Sequence, residues 1–348
     1  MVQVNKLGVI LKKTEFTFEN EGVLNPAVIK EGNTVHIFYR AVSKGNYSSI
    51  GYAKLDGPME VVMRMESPIL KAEETYDSHG VEDPRIVKID DLYYMTYTAY
   101  DGINALGCYA ISKDLVHFEK KGIMVPKISY QKFIELTKIN GVIKNKYYRF
   151  NQHEGVVEKD ISKMLLWDKN VVFFPRKING AFCFIHRIKP GIQIVTGVKE
   201  LTDLTEAYWD NYITNLDQHI LLEPKFDHER NYLGGGCPPI ETEHGWLMIY
   251  HGVHESLNGY VYCACATLLD LEDPTKEIAR LPYGLFQPEL EWELKGYVRN
   301  VCFPSGAAVF DDVLYIYYGA ADERIACASM SLSELLNELL LNIQHNDK

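Results

Sequence analysis

The chain has 348 residues, 47% hydrophobic and 24% charged, so it can bury a full core and is neither disordered nor fibrous. Its 36 Lys and Arg stand against 47 Asp and Glu, a net charge of −11, and no sustained basic run offers the counterion release on which nucleic-acid binding depends. No stretch approaches the ~20 apolar residues that span a bilayer, and MVQVNKLGVILKKTEF lacks the basic start and long apolar core of a signal peptide, so a cytoplasmic protein without nucleic-acid or membrane partners is expected.

Five segments in chain order share one layout: a proline entering a strand, a turn, an aromatic-rich second strand, then a third strand of small and apolar residues. They begin NPAVIKEGNTVHIFYRAV, DPRIVKIDDLYYMTYTAYDG, FPRKINGAFCFIHRI, CPPIETEHGWLMIYHGV and FPSGAAVFDDVLYIYYGAAD, with entering prolines at Pro26, Pro84, Pro175, Pro239 and Pro304. Proline lacks a donor and is tolerated at a strand's first position, so its recurrence marks one structural point. A repeat on this scale predicts an all-β, five-bladed β-propeller, each blade one antiparallel sheet, with residues 1–348 forming a single domain. The long gap between the second and third repeats, 129–169, reads as an insertion, either a lid or an extra hairpin packed on the side. SLSELLNELLL places Leu332, Leu335, Leu336, Leu339 and Leu340 on one face, with Ser331 and Glu334 fitting a capping box, which predicts a C-terminal helix over 331–342 that caps the propeller. The seven cysteines mostly fall in apolar strand-like runs without CxxC or His-Cys spacing, so buried free thiols and no metal site are expected.

In a propeller, equivalent strand ends gather at the centre, so polar residues recurring there describe one pocket. The second strands end in FYRAV with Arg40, TAYDG with Asp101, IHRI with His186 and Arg187, IYHGV with His251 and YGAAD with Asp322. The strand mouths add Asn25, Glu82, Asp83, Arg85 and Lys177. Carboxylates and amides bind sugar hydroxyls, aromatic faces support a sugar ring, and Arg, Lys and His take phosphate through charge-assisted hydrogen bonds. The same charges could also brace the channel structurally.

GVEDPRIVKIDDLYYMTYTAYDG, FPRKINGAFCFIHR, GGGCPPIETEHGWLMIYHGV, LLDLEDPTKEIAR and NVCFPSGAAVFDDVLYIYYGAAD resemble, in order, the motifs of glycoside hydrolase family 130, the mannoside phosphorylases, whose members are five-bladed propellers. The resemblance implies that Asp83 is the general acid, acting through a hydroxyl of the bound mannose, and that Asn25, Arg40, Arg85, Asp101 and Asp322 meet the sugar. It further implies that Lys169, Lys177, Arg187, His251 and Tyr262 bind inorganic phosphate, the co-substrate, with no other cofactor. The implied reaction is inverting hexosyl transfer from a β-mannoside oligosaccharide or glycoconjugate to phosphate, giving mannose 1-phosphate. Two other readings stay open: an inverting β-mannoside hydrolase, for example of β-1,2 linkages with Glu255 as a second carboxylate, and a non-catalytic sugar-binding propeller. A homo-oligomer is also left open.

Overall fold

A computed structural model describes residues 1–140, 143–151, 164–257 and 259–343. The N-terminal strand β1 is Asn5–Leu11, and the first repeat forms β2 (Gly22–Glu31), β3 (Thr34–Ser43), β4 (Tyr47–Asp56) and β5 (Glu60–Arg64). The second forms β6 (Gly80–Ile89), β7 (Leu92–Tyr100), β8 (Ala105–Ser112) and β9 (Glu119–Ile123), followed by helices α1 (Tyr130–Thr137) and α2 (Asn145–Asn151). The third holds β10 (Lys169–Phe173), β11 (Phe182–Arg187), β12 (Ile192–Val198), α3 (Glu206–Thr214) and β13 (Ile220–Leu222). The fourth holds β14 (Tyr232–Gly235), β15 (Ile240–Thr242), β16 (Gly245–Ser256), β17 (Gly259–Leu269), β18 (Glu277–Arg280) and α4 (Glu291–Leu294). The last holds β19 (Cys302–Phe310), β20 (Val313–Ala320), β21 (Arg324–Ser331) and α5 (Leu332–Leu340).

Strands within each repeat pair antiparallel, and one parallel bridge, Ser48 to Gly80, joins the first two repeats into an eight-stranded sheet. The outer strand of the fifth repeat is β1, paired antiparallel with β21. Among the described residues the core is a series of apolar layers, each between one repeat and the next. Phe38 and Tyr52 meet Met95 and Tyr97; Val87 and Leu106 meet Phe173 and Phe184; Ile185 and Ile194 meet Trp246 and Met248. Leu247 and Ile249 meet Ile316 and Tyr318, and Tyr317 and Cys327 of the fifth repeat meet Val35 and Ile37 of the first. The seven cysteines are buried free thiols, three of them in the layer containing Ile185 and Trp246.

The prolines mark a different point from the one expected. The first strands of the first, second, third and fifth repeats make bulges, where register shifts fall between Leu24 and Ala27, Glu82 and Arg85, Lys169 and Val172, and Pro304 and Gly306. Pro26 and Pro84 lie inside these bulges rather than at the strand start, because the locally broken ladder leaves no donor to be missed. Pro175 is not their equivalent: it follows β10 in the turn to β11, and the third bulge lies at Asn170. Asn25, Asp83 and Asn170 have φ of 49°, 49° and 53°, the left-handed region that Asn and Asp tolerate best among side-chain-bearing residues.

Within 129–169 the described residues form α1 and α2, Ser129 makes an isolated antiparallel bridge to Leu165, and Lys169 opens β10, while residues 141–142 and 152–163 lie outside the described ones. Ser129 Oγ caps α1 by accepting from Lys132 N, and Phe133 and Tyr147 pack with Trp209 and Tyr212 in the layer between the second and third repeats. At the C-terminal end, Ser331 Oγ accepts from Glu334 N at 3.1 Å and donates to Asp312. Leu335, Leu336 and Leu339 of α5 bury against the layer between the fourth and fifth repeats, covering its outer edge.

Candidate active site

The bulges aim side chains from separated stretches of chain into one cavity of about 240 Å³, lined by Asn25, Arg40, Asp83, Trp167, Lys169, Asn170, Arg187, Lys189, Tyr232, Tyr262, Val298, Val301, Phe303 and Asp322. The strand register explains the convergence. Leu24, just before the first bulge, faces Arg40; Lys169, just before the third, faces Arg187; and in the fourth repeat Gly234 faces His251. Gly319 faces Phe303 in the fifth, and a Cβ there would sit 2.2 Å from Asn25 Oδ1, so the glycine makes room for the asparagine.

One end of the cavity is carboxylate-rich. Asn25 Nδ2 donates to Asp83 Oδ1 at 2.8 Å, and Arg40 lies 2.8 Å from Glu82 and 3.7 Å from Asp83. Arg40 Nε donates to Ser48 Oγ, which fixes the guanidinium. Burial pushes the Asp83 carboxyl up, but Arg40, Lys169, the Asn25 hydrogen bond and Arg85 together hold it below its ordinary value. Asp322 goes the other way: burial, reinforced by the negative charges of Asp83 and Glu82 against the pull of Arg40, raises it to about 6. Arg40 and Asp322 also line an adjoining hollow of about 410 Å³ that includes Glu21, Asn46 and Tyr297.

The other end is cationic. Lys169, Arg187 and Lys189 have no ion-pair partner among the described residues, although Arg40, Arg64 and Arg280 all do. Burial lowers Lys169, with Arg187 and Arg40 adding to the effect and Glu82 and Asp83 opposing it. The Tyr262 and Tyr232 hydroxyls are hydrogen-bonded to each other, and Arg187 lies 5.6 Å from the Tyr232 ring centre. Among the described residues, Arg187 Nε and Asn170 Oδ1 are buried without hydrogen-bond partners, as is Asn25 Oδ1 at the carboxylate end. Buried unpaired polar atoms of this kind cost stability unless something else satisfies them.

Several expected site residues lie elsewhere. Arg85 is buried and gives its donors to the backbone carbonyls of Asp83, Pro84, Gly235 and Gly236, so it ties two first strands together rather than facing the cavity. Asp101 accepts from Ile103 N, Asn104 N and Asn104 Nδ2, bracing the loop whose Ile103 carbonyl holds Trp167 Nε1. Lys177 sits at the far end of β11 from Arg187, 3.3 Å from Asp90. His251 is one layer behind the lining, its Nε2 accepting from Arg187 at 3.4 Å and its ring 4.4 Å from Phe303; burial and the nearby Arg187, Arg85 and Lys189 keep it neutral. Glu255 is exposed at the end of β16, with its backbone N bonded to Asn231. His186 bridges Asp168 and Tyr212 in the core, outside the cavity.

Residues not anticipated from the sequence are Trp167, Asn170, Lys189, Tyr232, Val298, Val301 and Phe303. Asn170 had a usable signal, because an Asn at the bulge repeats the pattern of Asn25 and Asp83; aligning Pro175 with Pro26 and Pro84 hid it.

The sequence model of the Glyco_hydro_130 family, described as beta-1,4-mannooligosaccharide phosphorylase, matches residues 8–340. The chain belongs to glycoside hydrolase family 130. It is 32% identical over 351 residues to a 1,2-beta-oligomannan phosphorylase of Thermoanaerobacter sp., covering 96% of this chain and 99% of that protein. It is 35% identical over 331 residues to a beta-1,2-mannobiose phosphorylase of the same organism, covering 90% of this chain and 91% of that protein. Among solved structures, the beta-1,2-mannobiose phosphorylase of Listeria innocua in complex with beta-1,2-mannobiose superposes with a TM-score of 0.72 at 22% identity, over 98% of this chain and 100% of that one. Membership of family 130 thus agrees with the mostly β architecture and with a cavity that sets carboxylates at one end and unpaired cations at the other.

Proposed function

We propose that this family 130 protein is an inverting phosphorylase of β-mannosides, working in the cytoplasm, where a phosphorylated product is retained. The observation that supports it most is the trio Lys169, Arg187 and Lys189, which share the cavity with Asp83 but have no carboxylate partners among the described residues. A hydrolase must activate water with a second carboxylate, whereas phosphate is itself a nucleophile and needs cations to hold it. The five repeats are proposed to be blades of a five-bladed propeller, a reading supported by the apolar layers that run from each repeat to the next and from the fifth to the first.

In this reading mannose sits against Asn25, Arg40, Asp83 and Asp322, and phosphate lies among Lys169, Arg187 and Tyr262, with His251 orienting Arg187. Phosphate attacks the anomeric carbon from the face opposite the leaving sugar; the C1–O bond to that sugar breaks as a C1–O bond to phosphate forms, with inversion. Asp83 gives its proton to a mannose hydroxyl, which passes one to the departing oxygen. The leaving sugar points away from the cations, toward the hollow shared through Arg40 and Asp322. The protein alone holds Asp83 ionised, and an arriving phosphate dianion offsets the positive charge responsible, which favours proton uptake by the acid.

The relatives named for β-1,2-linked mannosides make β-1,2-mannobiose the first substrate to test. Incubation with and without phosphate should give mannose 1-phosphate only when phosphate is present. Equal release of free mannose in both would sink the phosphorylase reading in favour of hydrolysis.

A further inference from the structure

We propose that Lys189 is a direct phosphate ligand, its ammonium completing the cationic end of the cavity beside Arg187 and Lys169. This rests on the phosphorylase reading and adds to it a residue that the family motifs did not suggest. Lys189 lies two residues beyond the FPRKINGAFCFIHR motif, in the run IKPGIQIV.

The backbone around Lys189 is pinned from three sides. Asn151 Nδ2 donates to the Lys189 carbonyl at 2.8 Å, Leu233 N donates to the Pro190 carbonyl at 2.9 Å, and the Gln193 amide bonds both the N and the O of Ile188. From this base the ammonium lies 4.1 Å from the Tyr232 ring centre, a cation–π placement that holds it at the cavity wall. Among the described residues, the charged or titratable groups facing it are Arg187 on β11, Lys169 on β10, His251 on β16, Tyr232 on β14 and Tyr262 on β17, with no carboxylate among them. A buried lysine between two other cations is unfavourable on its own and becomes favourable with an anion among them. Burial and the charges of Arg187 and Lys169 push its ammonium down to about 7, so its charge changes near neutral pH.

Sulfate is the probe for the test, because it remains a dianion from pH 6 to pH 8 whereas phosphate titrates. In the wild-type protein the sulfate dissociation constant, read by calorimetry and as competitive inhibition against phosphate, should rise by ~3-fold or more between pH 6 and pH 8. Lys189→Arg keeps a charge that never titrates, so it should bind sulfate tightly with a slope clearly flatter than wild type. Lys189→Met keeps the stem over Tyr232 but loses the charge; it should bind sulfate and phosphate ~10-fold more weakly at pH 6, the usual scale for a charge-assisted hydrogen bond, with little change in the KM for mannobiose. Sulfate binding by Lys189→Met within 2-fold of wild type at pH 6, or a wild-type pH slope retained in Lys189→Arg, overturns the proposal. If wild-type turnover proves independent of phosphate, the reaction reading falls separately, and the sulfate titrations still decide whether Lys189 belongs to an anion site.

Discussion

Asp83→Asn isolates the proton-donating step. Asparagine tolerates the φ of 49° at this bulge, and its carbonyl oxygen can still accept the 2.8 Å bond from Asn25 Nδ2, so the geometry of the carboxylate end is preserved. The charge is not preserved. Arg40 lies 3.7 Å from Asp83, an attraction of about 4 kcal/mol at an effective dielectric constant of 20, but it retains Glu82 at 2.8 Å. The variant also no longer has to desolvate a buried carboxylate, so the net change in stability should be within ~2 kcal/mol, a melting-temperature shift of a few degrees. Catalysis should suffer far more. General acids supply ~10² to 10⁴ in rate, equivalent to about 2.7 to 5.4 kcal/mol of barrier, and that range is the expected loss in kcat/KM for phosphorolysis of β-1,2-mannobiose. An aryl mannoside with an excellent leaving group needs less protonation and, if accepted, should recover part of the lost rate. Near-normal turnover of the disaccharide by a folded Asp83→Asn protein would refute the assignment of the acid.

Gly319→Ala would bring a Cβ to 2.2 Å from Asn25 Oδ1 and 3.0 Å from Asn25 N, so it should cost ~1–3 kcal/mol in a denaturant titration and reduce turnover by displacing Asn25 from Asp83. Lys177→Ala and Glu255→Gln alter groups outside the cavity; both should keep kcat and the KM for phosphate within about 2-fold of wild type, whereas Lys169→Ala should raise that KM ~10-fold or more in steady-state assays. Asp322, raised to about 6 from 3.8, favours the folded state fully only at low pH, and that contribution is lost as pH rises from the unfolded value through the folded one. Asp83, held low, works in the opposite sense at more acidic pH, so the informative quantity is the difference between wild type and Asp322→Asn. Relative to the variant, the wild type should lose stability between pH 4 and pH 6 in thermal melts; parallel curves would contradict the raised carboxyl.

Periodicity, turn chemistry and the Asn-Pro and Asp-Pro pairs were enough to read from the sequence a chain of antiparallel repeats, a capped C-terminal helix with a leucine face, and a group of candidate residues that includes Asn25, Arg40, Asp83, Arg187 and Asp322; the family resemblance added Lys169 and Tyr262, and all seven line one cavity. These features are local: strand alternation, a helix cap and the preference of Asn and Asp for the left-handed region act within a few residues. Which neighbours share a direction was decided by the tertiary structure. Side chains on a strand alternate faces with a period of two, so a single extra residue at a bulge reverses which ones point inward. That is why Asp83 faces the cavity while Arg85, two residues away, spends its donors on the carbonyls of Gly235 and Gly236. It is also why the third repeat presents Asn170 rather than a residue near Pro175. Lys189 and Tyr232 could not be read from the sequence as a pair, because 40-odd intervening residues, including α3, separate the β11–β12 turn from β14, which packing brings side by side. A local pattern carries no term for that contact; burial of apolar layers between the repeats does.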